Sequence, residues 1–192
     1  AGGREDFGAA KRAELGIKPW ELLYGLVTSG DFEKRGLKPF LRAFAAVAAK
    51  RPEARALVVG KESRMGPYLA LARELAIADR VVFRDPVPEV WRYYHAIDVY
   101  VHPAKWEEFG MSVLEALACG LPVITGASVG AAELLKGEQR EFVLDEPSGA
   151  KLESAMFALA DPSVRTRVGA LGPAAALPCA WDRGAAALHD LY

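Results

Sequence analysis

The stretch His102–Gly126, HPAKWEEFGMSVLEALACGLPVITG, decides how the chain is read. An apolar run enters it, IDVYVH at Ile97–His102, and another leaves it, LPVIT at Leu121–Thr125. Neither alternates apolar with polar residues, as a strand with one wet face would. Between them a glycine, Gly110, opens an apolar helical segment that ends near Cys119 and Gly120. A strand, a glycine turn and a helix N-terminus build an anion site, because free backbone N–H groups and the helix dipole point at the turn. Glu107 and Glu115 flank that helix start with seven residues between them. Carboxylates repel a phosphate, but they accept hydrogen bonds from sugar hydroxyls lying beside one.

The same alternation of apolar runs and amphipathic helices extends in both directions. Upstream, Glu21–Gly30 (ELLYGLVTSG) is a strand, followed by a helix over 37–52 in which Leu37, Phe40, Leu41, Phe44, Val47 and Ala48 recur at helical spacing. Ala54–Gly60 is a short buried strand before a helix through Tyr68, Leu71, Ala72 and Leu75. Arg80–Asp85 is the next strand, and Pro88–Ala96 a helix with proline at its start. Downstream come a short helix near 131–135, a last strand over Arg140–Asp145, and tail helices at roughly 148–160, 163–171 and 180–192. Strands each followed by a helix predict an α/β fold, a doubly wound parallel sheet of about six strands with C-terminal helices. Ligands of such sheets bind just beyond the carboxyl ends of the strands.

The chain of 192 residues fits one domain over 1–192, with 1–20 as a linker and short helix. Its Gly-rich start without Met reads as a cut made inside a longer protein. Apolar residues are 52%, charged residues 26% and the net charge −1, so no basic field draws nucleic acid or an anionic membrane. Cys119 and Cys179 stand far apart, outside any C-x-x-C spacing, and Cys119 in its apolar helix is expected to be buried. No apolar run reaches the ~20 residues of a membrane span and no signal peptide is visible, so a cytoplasmic protein is expected.

Three further features bear chemistry. Lys34 and Arg35 stand beside Gly36 in the loop SGDFEKRG (Ser29–Gly36), directly after the first strand. Two cations there neutralise a diphosphate, or form an ordinary solvated basic turn. Neither G-x-G-x-x-G nor G-x-x-x-x-G-K-S/T is present, which argues against nicotinamide chemistry and P-loop hydrolysis. Ser112 and Glu115 have the S-x-x-E spacing of a capping box, so Glu115 serves either the helix end or a ligand. Its neighbours Val113, Leu114, Ala116 and Leu117 are apolar, so its carboxylate needs a partner, and a ribose diol offers two hydroxyls. In Gly126–Leu135, Gly130 lets a ligand approach the backbone or simply marks a flexible loop. His102, before Pro103, reads as packed or capped; His95 and His189 receive no role. Trp20, Trp91, Trp106 and Trp181 read as packing groups, with Trp106 bordering Glu107. Phosphate beside sugar points to a nucleotide-sugar.

The pattern E-x-F-G-x-x-x-x-E, apolar helix, G-x-P-V-I-T and a glycine loop with Glu133 resembles the donor half of GT-B glycosyltransferases. It is most similar to the retaining family 4, also called glycosyl transferases group 1, marked by E-x7-E, with Phe109-Gly110 selecting Glu107 over Glu108 as first acid. The resemblance covers about Leu22 to Leu152, and the forms DFEKRG and HPAKWEE look most like bacterial lipopolysaccharide core glucosyltransferases. It implies that Glu115 holds the nucleotide ribose and Glu107 the donor hexose. Lys34 and Arg35 would bind the diphosphate, and the N–H groups of Gly110, Met111 and Ser112 the distal phosphate. Gly30 in the phosphate turn, backbone near Arg84 at the base, and Gly130 complete the implied set. It further implies a UDP-hexose donor, no metal or other cofactor, and a glycan or lipopolysaccharide acceptor bound by a separate N-terminal domain, possible peripheral membrane association and a fragment that is inactive alone. This chain departs from the family in placing its two cations side by side and in having one glycine fewer before Glu133. A sugar-nucleotide epimerase and a degenerate nucleotide-binding or interaction domain are the alternative readings.

Overall fold

The structure is a computed structural model that describes residues 4–180. Six strands form one parallel sheet in the order β3-β2-β1-β4-β5-β6: β1 (Leu22–Gly30), β2 (Ala54–Lys61), β3 (Val81–Arg84), β4 (Val99–His102), β5 (Val123–Gly126) and β6 (Val143–Leu144). The helices are α1 (Arg4–Leu15), α2 (Leu37–Lys50), α3 (Gly66–Glu74), α4 (Trp91–Ala96), α5 (Met111–Ala118), α6 (Gly149–Ala158), α7 (Pro162–Ala170) and α8 (Gly172–Ala176). The predicted doubly wound α/β sheet is the fold observed.

Burial on both faces explains why the strands lack a polar stripe. In β1, Leu22, Tyr24 and Leu26 join a core with α2, α3 and α6 on one face. Leu23 and Val27 join a second core with α4 and α5 on the other. Successive side chains of a strand point to opposite faces, so a sheet covered twice must be apolar at every position. The six residues of α2 picked out by their spacing are all buried. Arg12 on α1 ties the chain's start to the sheet, donating to the Ala96 carbonyl at 2.8 Å and to Asp98 at 3.0 Å.

Several expectations need correction. The strand expected over 140–145 is only Val143–Leu144, because 137–142 winds as a 3₁₀ turn. The helix expected from Pro88 starts at Trp91, and that expected near 131–135 is a 3₁₀ segment at Gly130–Leu134. The tail helix expected over 180–192, with Trp181 and His189, lies outside the described residues apart from Ala180, whereas α8 was not foreseen. Trp20 and Trp106 are not packing groups, being 73% and 65% exposed. Cys119, which ends α5, is half-buried rather than buried.

Candidate functional site

The strand order reverses between β1 and β4, and connections that leave to opposite sides part there. The gap is a cleft of about 710 Å³. One wall is Val27–Ser29 with Lys34 and Arg35; the other is the loop 106–110 with Met111, Ser112 and Glu115 of α5; Pro86, Val87, Val90 and Tyr94 close the third side.

The basic turn is shaped by its own short-range bonds. Asp31 accepts the Lys34 amide at 3.2 Å, and its other carboxylate oxygen meets Lys34 Nζ at 3.1 Å. Gly36, with φ 75°, then starts α2. A β-carbon at Gly36 would lie 2.2 Å from the Pro103 carbonyl oxygen, so only glycine lets this turn press against the loop after β4. That approach delivers Arg35 to Glu107: Nη1 lies 2.9 Å from Oε2, both side chains being largely shielded. His102 at the end of β4 is fully buried, and its Nε2 meets the same Oε2 at 2.5 Å. Burial by itself would raise the Glu107 carboxyl pKa, but the hydrogen bond and charge of His102 and the charge of Arg35 outweigh it. The group is held below the ordinary glutamate range and stays ionised.

Gly110, at φ 91°, is the N-cap of α5, with no side-chain cap. The helix therefore begins with Met111, and Ser112 is not its cap; the capping-box reading of Glu115 fails because the helix starts two residues earlier than that box requires. The first amides of α5 have no intrahelical acceptor and point, with the dipole, into the cleft. Glu115 instead receives the Tyr94 hydroxyl on Oε2 at 2.7 Å. Its Oε1 makes no hydrogen bond among the described residues, although Glu115 borders the cleft.

Lys34, Arg35, Glu107, Gly110, Met111, Ser112 and Glu115 thus come together, and Trp106 joins them at the rim. Gly30, Arg84 and Gly130 do not line the cleft. The carbonyl of Lys61 packs on Gly30, where a β-carbon would lie 2.6 Å from its oxygen. Arg84 is exposed at the end of β3, though Pro86 and Val87 just beyond it form part of the wall. Gly130 admits backbone rather than a ligand: its amide donates to the Glu107 carbonyl at 3.1 Å, and a β-carbon would lie 2.2 Å from the Glu108 carbonyl oxygen. It shapes the loop that carries Glu107. Sequence reasoning missed Tyr94, and it left His102 without a part in the site. The spacing of His102 to Glu107 across one strand end was the available signal for the second; nothing in sequence links Tyr94 to Glu115.

The sequence pattern described as glycosyl transferases group 1 matches residues 12–172. The lipopolysaccharide core biosynthesis mannosyltransferase LpsB of Rhizobium meliloti is 35% identical over 140 residues, 69% of this chain and 38% of that protein. A D-inositol 3-phosphate glycosyltransferase of Segniliparus rotundus is 33% identical over 193 residues, 96% of this chain and 42% of its own. The crystal structure of WaaG, a glycosyltransferase involved in lipopolysaccharide biosynthesis, superposes with a TM-score of 0.80 at 28% identity, over 89% of this chain and 46% of that one. The chain spans less than half the length of each.

Proposed function

Because the chain belongs to the group 1 glycosyltransferases, we propose that it is the nucleotide-sugar half of a GT-B enzyme that transfers a hexose with retention of configuration. The observation that carries this reading is the meeting, in one cleft, of the α5 N-terminus, Arg35 and the two carboxylates Glu107 and Glu115. Glu115 takes the ribose diol through Oε1. The diphosphate lies between Arg35 and the amides of Gly110, Met111 and Ser112, which stabilise its charge as it leaves. Glu107 meets the hexose hydroxyls and orients the anomeric carbon. No metal ion or cofactor is needed in this scheme. The donor is UDP-glucose by the likeness of DFEKRG and HPAKWEE to core glucosyltransferases. LpsB and WaaG, both named for lipopolysaccharide, support a lipopolysaccharide-core acceptor, held by a separate domain. The intact enzyme works in the cytoplasm, at the inner face of the membrane. Among the described residues no helix is long and apolar enough to cross one.

Calorimetry of this chain with UDP, UDP-glucose, GDP and GDP-mannose tests the reading. UDP and UDP-glucose are expected to bind at about millimolar affinity or better, unchanged by EDTA, with no sugar released. Absence of heat with all four ligands at millimolar concentration overturns it.

A further inference from the structure

We propose that Tyr94, Tyr100 and His102 form a buried aromatic ladder that positions both cleft glutamates, Tyr94 fixing Glu115 and His102 fixing Glu107. Tyr100 and His102 are two residues apart on β4 and so face the same side of the sheet. Their rings stack at 11° with centroids 6.2 Å apart. Tyr94, from α4, leans on Tyr100 at 59° and 5.7 Å. None of the three is more than 1% exposed.

Every donor of the ladder has a defined target. The middle rung donates its hydroxyl to the Val27 carbonyl at 2.9 Å, which ties the ladder to β1 on the opposite cleft wall. The outer rungs reach one oxygen each of the two carboxylates, at 2.7 Å and 2.5 Å. His102 Nδ1 is buried without a hydrogen-bond partner among the described residues, so the ring is directed by its Nε2 contact to Glu107. Burial, together with the negative charge of Glu115, keeps the Tyr94 hydroxyl protonated, so it donates at any ordinary pH. Each glutamate is therefore gripped through Oε2, which in Glu107 also meets Arg35 across the cleft, with Oε1 left for what enters. Neither tyrosine nor histidine needs to touch the ligand; all three are positioning residues. The relevance of Glu115 to ribose rests on the donor-site reading, whereas the grip itself does not.

The test uses Tyr94→Phe, which removes one oxygen, and His102→Phe, which keeps a ring in the stack. Wild type is expected to prefer UDP over 2′-deoxy-UDP by about tenfold, the scale of a hydrogen bond to a charged group. Tyr94→Phe should reduce that ratio to about threefold or less. In ligand-free crystal structures the Glu115 carboxylate should leave its place in Tyr94→Phe, and Glu107 should move in His102→Phe. A purely structural role for Tyr94 would lower the melting temperature while leaving ratio and carboxylate alone, and that result overturns the proposal. If wild type binds no UDP, the donor-site reading falls by itself; the ligand-free structures still decide, and unmoved carboxylates overturn the ladder. Should His102→Phe not fold, Tyr94→Phe decides alone.

Discussion

Arg35 turns its guanidinium into the cleft to within 2.9 Å of Glu107, whereas Lys34, with a side chain 77% exposed, reaches back to Asp31. Adjacent in sequence, the two cations are divided by the turn that carries them. Removing Arg35 should weaken UDP binding about tenfold or more, because a shielded fork to phosphate is lost. Lys34→Ala should stay within about threefold, as expected of an exposed charge; equal losses in calorimetry would show that the turn does not separate them. Glu107 offers a pH test. Its depressed pKa adds stability that is complete above about pH 4.3, the ordinary glutamate value, and is lost as pH falls through the lower folded value. Urea titrations should find Glu107→Gln about 1–3 kcal/mol less stable than wild type at pH 7, with the gap closing as pH falls below the ordinary glutamate range. A gap independent of pH would mean that the carboxylate is not ionised in the folded state. The sequence exposed both glutamates and the cations but not their internal partners. The Tyr94–Glu115 bond joins α4 to α5 across 21 residues, and only the packing of those helices on β4 brings it about.

At the scale of elements, glycines set how closely the site's loops can approach. Gly36 and Gly16 have nearly the same φ, 75° and 73°, yet a β-carbon meets the Pro103 carbonyl at the first and nothing within 4 Å at the second. Gly16→Ala should therefore cost only the left-handed penalty, about 1–2 kcal/mol. Gly36→Ala should cost clearly more, about 3 kcal/mol or above, and should also weaken nucleotide binding by withdrawing Arg35. Denaturant midpoints of the two variants check this; equal losses would mean that the contact at Pro103 is dispensable. Element types were largely legible in sequence, because a strand buried on both faces must be apolar throughout. Legibility failed at the margin. β6 pairs only through Thr125↔Val143 and Gly126↔Leu144, so no long ladder holds 140–142 extended, and that segment coils. Trp106 misled for a related reason: a large apolar residue on a cleft rim looks like a core residue when only its type is known.

Across the whole molecule, one reversal of strand order makes the site. β1 and β4 lie side by side, but the chain leaves their ends in opposite directions, toward α2 on one face and α5 on the other. The basic turn and the E-x7-E segment, far apart in sequence, thereby face each other across the cleft. If this cleft is the donor site, nucleotide must stabilise the entire fold, since it binds only the folded state: at 100 times its Kd, UDP should add about 2.7 kcal/mol, seen as a raised melting temperature. The most direct measurement is a crystal structure of this chain with UDP. The account predicts the diphosphate at the N-terminus of α5 beside Arg35, and the ribose diol on Glu115 Oε1. UDP bound elsewhere, or in this cleft with its ribose turned away from Glu115, would contradict it.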